Sequence, residues 1–443
     1  MNQGGGNTQT GGQRIESLNG LEITRGRRHT VIAQLIGEGA RRAFSSALRF
    51  DEGEKPVIPP CERTIPRLLY IHIPFCEQLC PYCSFNRVLF EEKLCREYFN
   101  ALRKEIYLYR EKDYDFESIY VGGGTPTVLI DELEETLEVA KNCFHITEIS
   151  VETNPNHLTD EKISVLKRVG VNRLSVGIQS FNDDLLRAMG RYDKYGSGEM
   201  NAERLVQSSG YFDTLNADMI FNFPVQSYES LEKDLDTLIS TGVDQITYYP
   251  LMVSDLTRGL VEKTLGTVDY KKEKQFYHLI AQKLLPHYRF SSAWCFSRQD
   301  AMIDEYIVDY DEYAGLGSGS IGYLHGRCYA NTFDIRQYIE QVHKGDLPLM
   351  ASRDFSLTDR IRYDFIMNLF GLELKVGPLR KKYGTHVFPY LWKDIIAFMM
   401  AGGLQYHHGT FYLTTRGRYY WIIIMREFFT AVNNFRAFCL NSR

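Results

Sequence analysis

Short apolar runs alternate with longer helical periods through the middle of this chain. Leu68–Ile73, Ser118–Val121, Glu148–Glu152, Asn172–Ile178, Leu215–Ile220 and Gln245–Tyr249 read as strands. Between them Arg96–Arg110, Leu129–Cys143, Asp160–Val169 and Leu231–Ser240 carry apolar residues at helical spacing. Parallel strands need crossover connections, and helices of this length supply them. The pattern therefore predicts an α/β fold with six strands and favours a curved, barrel-like sheet over a flat doubly wound one, without separating the two. The polar ends of its strands collect on one edge, where such folds place their sites.

The pattern changes at both ends. Residues 1–66 read as an N-terminal extension. Its Gln3–Gln13 stretch is too polar to order itself, Val31–Phe50 can form a helix with Ala33, Ile36, Ala40, Phe44 and Leu48 near one face, and Pro56, Pro59 and Pro60 form a linker. Residues 67–345 form the barrel. In residues 346–443, helices at Thr358–Leu369 and Leu391–Met399, a hairpin around Gly402–Thr414 and a terminal helix at Gly417–Val432 suggest an α+β lobe of winged-helix type covering a substrate.

The net charge of −5 and the missing basic stripe give no reason to expect nucleic acid or an anionic membrane as partner. No stretch reaches the ~20 apolar residues of a membrane span, and none near the start reads as a signal peptide. Nine cysteines in 443 residues are too sparse for a secreted disulfide scaffold. The expectation is a cytoplasmic protein with reduced thiols.

Three of the nine fall in one window, Tyr70-Ile-His-Ile-Pro-Phe-Cys76-Glu-Gln-Leu-Cys80-Pro-Tyr-Cys83. Three thiolates at C-x3-C-x2-C spacing can hold three irons of a cubane [4Fe–4S] cluster and leave the fourth open for chemistry. Structural zinc would want a fourth ligand, usually from a second C-x2-C knuckle. Cys61, Cys95, Cys143, Cys295, Cys328 and Cys439 stand singly and make none.

Two further motifs narrow the reading: Gly122-Gly-Gly-Thr-Pro-Thr127 after the second strand, and Ser175-Val-Gly-Ile-Gln-Ser-Phe181 along the fourth. With the cysteine window they resemble the oxygen-independent coproporphyrinogen III oxidase branch of the radical S-adenosylmethionine (SAM) superfamily, over about residues 67–440, which implies a partial (β/α)6 barrel followed by a smaller C-terminal domain. Its members include coproporphyrinogen oxidases, haem chaperones and class C radical methyltransferases. The resemblance implies that Cys76, Cys80 and Cys83 hold the cluster, that the open iron chelates SAM, and that one electron cleaves SAM to a 5′-deoxyadenosyl radical. It also implies two adjacent SAM sites. Tyr70, Gly123, Glu152 and Ile321 would line the first, and Tyr82, Gly124, Thr125, Gln179, Arg191 and Asp218 the second. Glu152 and Asp218 end apolar strands, where a carboxylate suits hydroxyls or an ammonium group, and Arg191 suits a carboxylate. Structural ion pairs would explain the same three residues.

Phe85 stands where coproporphyrinogen oxidases usually carry a fourth cysteine, and the His-Asn-x-x-Tyr-Trp element frequent in haem chaperones is absent. With Met425-Arg-Glu-Phe-Phe429, the chain looks more like the anaerobic haem-degrading methyltransferases. The expected activity is methylation of haem and opening of its ring, releasing iron and a linear tetrapyrrole. The alternatives are a haem chaperone or a methyltransferase acting on another aromatic ring. A flavodoxin or flavin reductase would supply electrons. Candidate haem anchors are His72, His325, His343, His386, His407, His408, Cys295 and Cys328 for the iron, and Arg298, Arg327 and Arg336 for the propionates.

Overall fold

A computed structural model describes residues 19–48, 50, 56–61, 67–303, 306–385 and 387–441. The polar Gln3–Gln13 stretch and His386 lie outside the described residues.

The six expected strands are present: β1 (Arg67–Ile73), β2 (Ser118–Gly123), β3 (Glu148–Thr153), β4 (Arg173–Gln179), β5 (Thr214–Phe221) and β6 (Gln245–Pro250). They pair in parallel in that order. After β6, the short β7 (Arg289–Phe290) and β8 (Cys295–Ser297) continue the sheet antiparallel. Beyond β1, β9 (Glu312–Leu316) pairs parallel, and β10 (Ile321–Leu324), β11 (Arg327–Asn331) and β12 (Leu349–Asp354) follow antiparallel. The whole sheet reads β12-β11-β10-β9-β1-β2-β3-β4-β5-β6-β8-β7. It is mostly parallel and open. Leu68, Leu69, Ile71 and Ile73 are wholly buried, as a strand covered on both faces must be, so β1 reads as an apolar run rather than an alternation.

The strands after β6 were not expected. Gly315-Leu316-Gly317 looks like a loop, yet β9 runs through Leu316, and β12 carries the sheet past residue 345. All five β9 residues are buried, so period-two alternation is missing there. Gly315 is required for another reason: a Cβ on it would lie 2.5 Å from the Ile321 carbonyl oxygen of the adjoining strand.

Helices Glu92–Glu111, Ile130–Cys143, Asp160–Arg168 and Tyr228–Thr241 are the expected crossovers. The last starts early because Ser227 and Ser230 form a capping box. The C-terminal lobe holds helices Leu357–Phe370, Val376–Tyr383 and Val387–Met400 and a three-stranded sheet of Glu373–Lys375, Leu404–His407 and Thr410–Leu413. The terminal helix, Thr415–Asn441, is longer than expected and so is the N-terminal helix, Asn19–Ala47. The two pack together through Arg41 Nε on Glu427 Oε2 at 2.8 Å and an edge contact of Phe44 with Phe428. Next to Glu427, Arg426 pairs with fully buried Glu273 on helix Tyr270–Leu284. Among the described residues, no helix is long and apolar enough to cross a membrane.

Candidate functional site

The cysteine loop leaves the carboxyl end of β1. Its first turn is tied to residues beyond it, Val88 N to Pro74 O at 2.7 Å and Phe90 N to Cys76 O at 2.8 Å. Arg87 reaches back and donates to the carbonyls of Cys80 at 2.5 Å and Cys83 at 2.7 Å. Glu77 fixes the loop from outside by accepting from Lys194 at 2.8 Å, Asn156 at 3.0 Å and His157 at 3.1 Å. Burial opposes its ionisation, but these partners hold its carboxyl below the usual range. His157 was not a candidate from the sequence; its signal was its place in the loop after β3.

The glycine segment is pressed against this loop. Gly124 N donates to Ile73 O at 2.7 Å and Thr125 N to Phe75 O at 2.8 Å. A Cβ on Gly124 would stand 2.7 Å from the Phe75 carbonyl oxygen, and one on Gly122 would stand 2.7 Å from Glu152 Oε1. Close approach of backbone, beyond a simple tight turn, therefore demands glycine here. Gly123 N donates to Glu152 Oε2 at 3.1 Å, and Tyr120 donates to Glu152 Oε1 at 2.9 Å. Tyr70 bonds His72 Nδ1 at 2.8 Å, while His72 Nε2 meets Asn86 O at 2.8 Å. Nε2 must carry the proton, leaving Nδ1 to accept from the phenol. Burial pushes the His72 pKa down to about 4, so the ring is neutral at pH 7.

Tyr70, Gly123, Glu152 and Ile321 line a cavity of about 620 Å³. Tyr82, Gly124, Gln179, Arg191 and Asp218 line the same cavity. Gln179 gets there through a bulge in β4, where the pairing with β5 slips between Gly177 and Gln179, and through a backbone φ of +72°. That φ is strained for a non-glycine residue and is a frequent mark of a functional position. Asp218 accepts from Ser175 at 2.7 Å and Asn216 at 2.8 Å. Arg191 donates to Gly177 O at 2.5 Å and Asn154 Oδ1 at 3.0 Å, and its other arm reaches Cys80 Sγ at 3.7 Å. Thr125 stands behind the wall. Its hydroxyl accepts from Asn154 at 2.8 Å and lies 3.8 Å from Cys76 Sγ, so it supports the sulfur rather than facing the cavity.

All three sulfur-bearing residues line the same cavity. Burial, followed by the neighbouring Cys83, pushes the Cys76 thiol up to about 12; burial also raises Cys83. Around them the guanidinium atoms Arg87 Nη1, Arg191 Nε and Arg436 Nε are buried without a hydrogen-bond partner. Each of these arginines is bonded through another of its nitrogens and leaves one buried donor over, a setting that suits an anion. A cubane on three thiolates, with the carboxylate of SAM beside it, fits both the donor set and the waiting charge. Among the described residues no three His, Cys, Asp or Glu side chains converge on a single ion; thiolates that each take a different cubane corner need not converge. Cys76, Cys80 and Cys83 would hold the cluster.

The proposed haem anchors are not brought together. Of the described histidines only His72 lines the cavity, and both its nitrogens are engaged. His325, His343, His407 and His408 lie elsewhere, as do Arg298, Arg327 and Arg336. Arg298 serves the Gly242 carbonyl and Arg327 is paired with Asp354 at 2.6 Å. Cys328 lines the cavity, whereas Cys295 packs against Thr247. Besides Arg87 and Arg191, the arginines that reach the cavity are Arg353 from β12 and Arg362 and Arg436 from the C-terminal lobe. Sequence offered little to single them out, because their nearness depends on how the lobe folds back.

A mostly parallel α/β sheet with three cysteines looping from the end of its first strand defines a radical SAM fold, and the family model of the radical SAM superfamily matches residues 70–238. The haem chaperone HemW of Bacillus subtilis is 30% identical over 373 residues, spanning 79% of this chain and 95% of that protein. Anaerobilin synthase of Escherichia coli O157:H7 is 29% identical over 307 residues, 64% of this chain and 67% of that one. The solved structure of coproporphyrinogen III oxidase (HemN) from Escherichia coli superposes with a TM-score of 0.70 at 21% identity, covering 87% of this chain and 93% of that one. This chain belongs to the HemN/HemW-like family of radical SAM proteins, a membership that implies a [4Fe–4S] cluster and SAM.

Proposed function

We propose that this protein holds a haem-type tetrapyrrole in the cavity over its radical SAM centre and hands it on, as a haem chaperone. One observation carries the binding step: the cysteine loop and a wall of apolar and aromatic groups, among them Tyr306, Phe428 and Phe429, share one cavity of about 620 Å³. Flat, largely apolar ligands suit such a wall. Arg353, paired with Asp359 at 3.6 Å, and Arg362, paired with Asp394 at 3.9 Å, also line the cavity, and propionates would compete with those carboxylates for them. Cys328 is a sulfur in the cavity outside the cysteine triplet, within reach of the role of iron ligand, although burial raises its thiol to about 12. The match to HemW along nearly that protein's whole length supports the carrying role.

A second reading is radical methyl transfer to haem with ring opening. It is supported by Tyr82, Gln179, Arg191 and Asp218, whose polar groups in the same cavity suit a second SAM. The absent His-Asn-x-x-Tyr-Trp element and the similarity to anaerobilin synthase point the same way. When bound, the cluster and SAM would supply an adenosyl radical. The protein's part is then to orient the methyl donor and the macrocycle and exclude water. A flavodoxin or flavin reductase is the proposed electron donor.

Anoxic incubation of the reconstituted protein with haem, SAM and dithionite separates the readings. The first expects a shifted Soret band that persists and then moves stoichiometrically to an apo-acceptor. Loss of that band with 5′-deoxyadenosine and a methylated linear tetrapyrrole would establish the second. A Soret band unchanged by the protein would overturn both.

A further inference from the structure

The last turns of the terminal helix dock on the cysteine loop. Arg436 Nη1 donates to the carbonyl of Ser84, the residue after Cys83. Asp255 N donates to Asn434 Oδ1 at 2.9 Å. Ser84 closes the set by bonding Ser254 at 3.0 Å and Thr257 at 3.2 Å. Phe435 stacks on Phe50 at 4.4 Å and meets Phe333 edge-on. The helix end, the loop after β6 and the cysteine loop thus form one clasp.

The clasp brings a particular charge. Arg87 and Arg191 are held within the sheet and its loops, Arg87 on the Cys80 carbonyl and Arg191 at 3.7 Å from Cys80 Sγ. Arg436 is the third cation of the group, and it arrives only on the terminal helix. Its Nε is buried without a partner, and its Nη1 is held on the carbonyl of the residue that follows Cys83. A cation beside an iron–sulfur cluster stabilises the reduced, more negative state and raises the reduction potential.

We propose that Arg436 is a positioning residue for the cluster, so that the readiness of the cluster to take an electron depends on the terminal helix being docked. This rests on the cluster reading given above and adds a coupling to it. The electron comes from an external low-potential donor, and no bond is made or broken in the protein. Coupling of this kind is reciprocal: reduction of the cluster must in turn tighten the helix.

EPR-monitored redox titration of the anoxically reconstituted full-length protein tests the idea. Arg436→Gln should retain a cubane with a lower midpoint potential, and Arg436→Lys should restore most of the difference. Asn434→Ala, which loosens the helix end and changes no charge, should shift the potential in the same direction; it serves also if Arg436→Gln fails to reconstitute. Hydrogen exchange over residues 430–441 should be slower in the dithionite-reduced protein than in the oxidised one, and Arg436→Gln should erase that difference. A cubane of unchanged potential in both Arg436→Gln and Asn434→Ala, or equal exchange in the two redox states, overturns the coupling. A wild-type protein without a cubane signal would instead overturn the cluster reading on which it stands.

Discussion

At the residue scale, buried polar groups divide the work around the cysteines. Arg87, Arg191 and Thr125 support the loop or its sulfurs, while His72 joins β1 to the segment after the loop. His72 also makes a measurable prediction. Its pKa in the folded protein, about 4, lies below the ordinary value near 6.5 of an unfolded chain. Between those values the unfolded state binds more protons, so this group's contribution to stability is present above pH 6.5 and is lost as pH falls toward 4. For the apo-protein, His72→Gln should narrow the gap between unfolding free energies at pH 7 and pH 5 by about 2 kcal/mol. Urea titrations at the two pH values measure it; an unchanged gap would show that His72 is not held neutral. Other groups contribute to the total slope with the opposite sign. Burial raises Glu105 and Asp234 to about 7, which costs stability as pH rises from the carboxylate range, so the comparison must be between variant and wild type.

At the scale of elements, the terminal helix joins regions far apart in sequence. It carries Arg426 to Glu273, Glu427 to Arg41 and Arg436 to Ser84. Glu273 has no exposed surface, and Arg426 is nearly as buried. Removing one member of such a pair leaves a charge without compensation in a poorly polarisable interior. Glu273→Gln should therefore destabilise the protein by about 3 kcal/mol. Chemical denaturation followed by far-UV circular dichroism reads this out. A loss under ~0.5 kcal/mol, the size expected of an exposed pair, would mean that water reaches the site. The bulge at Gly177–Gln179 shows the same scale from another side. One slipped residue in β4 turns a side chain into the cavity, at the expense of backbone strain.

For the whole molecule, one cavity collects groups from the sheet, the cysteine loop, the N-terminal helix and the C-terminal lobe. Four of the nine cysteines line it, and Cys76, Cys80 and Cys83 are the three proposed to hold the cluster. Alanine at any of Cys76, Cys80 or Cys83 should abolish the cubane absorbance of the anoxically reconstituted protein, whereas Cys295→Ala, on the far edge of the sheet, should leave it intact. Iron and sulfide analysis beside the visible spectrum checks both. A full cluster in Cys80→Ala would refute the ligand assignment.

The six parallel strands, their crossover helices and the C-x3-C-x2-C window were legible in the chain because each is a local pattern. Apolar runs of strand length, helical periods and ligand spacing need no knowledge of what packs against them. The glycine triplet was legible too, though its reason, a carbonyl or carboxylate within 3 Å of each missing Cβ at Gly122 and Gly124, was not. Tertiary structure alone decided the rest. Wholly buried β9 lost the alternation that marks a strand, and β12 and the lobe brought Arg353, Arg362 and Arg436 to the cavity while Arg298, Arg327 and Arg336 stayed outside it. Charges distant in sequence meet where the chain folds back on itself, and that return path is set by the sum of many weak packing contacts rather than by any local spacing.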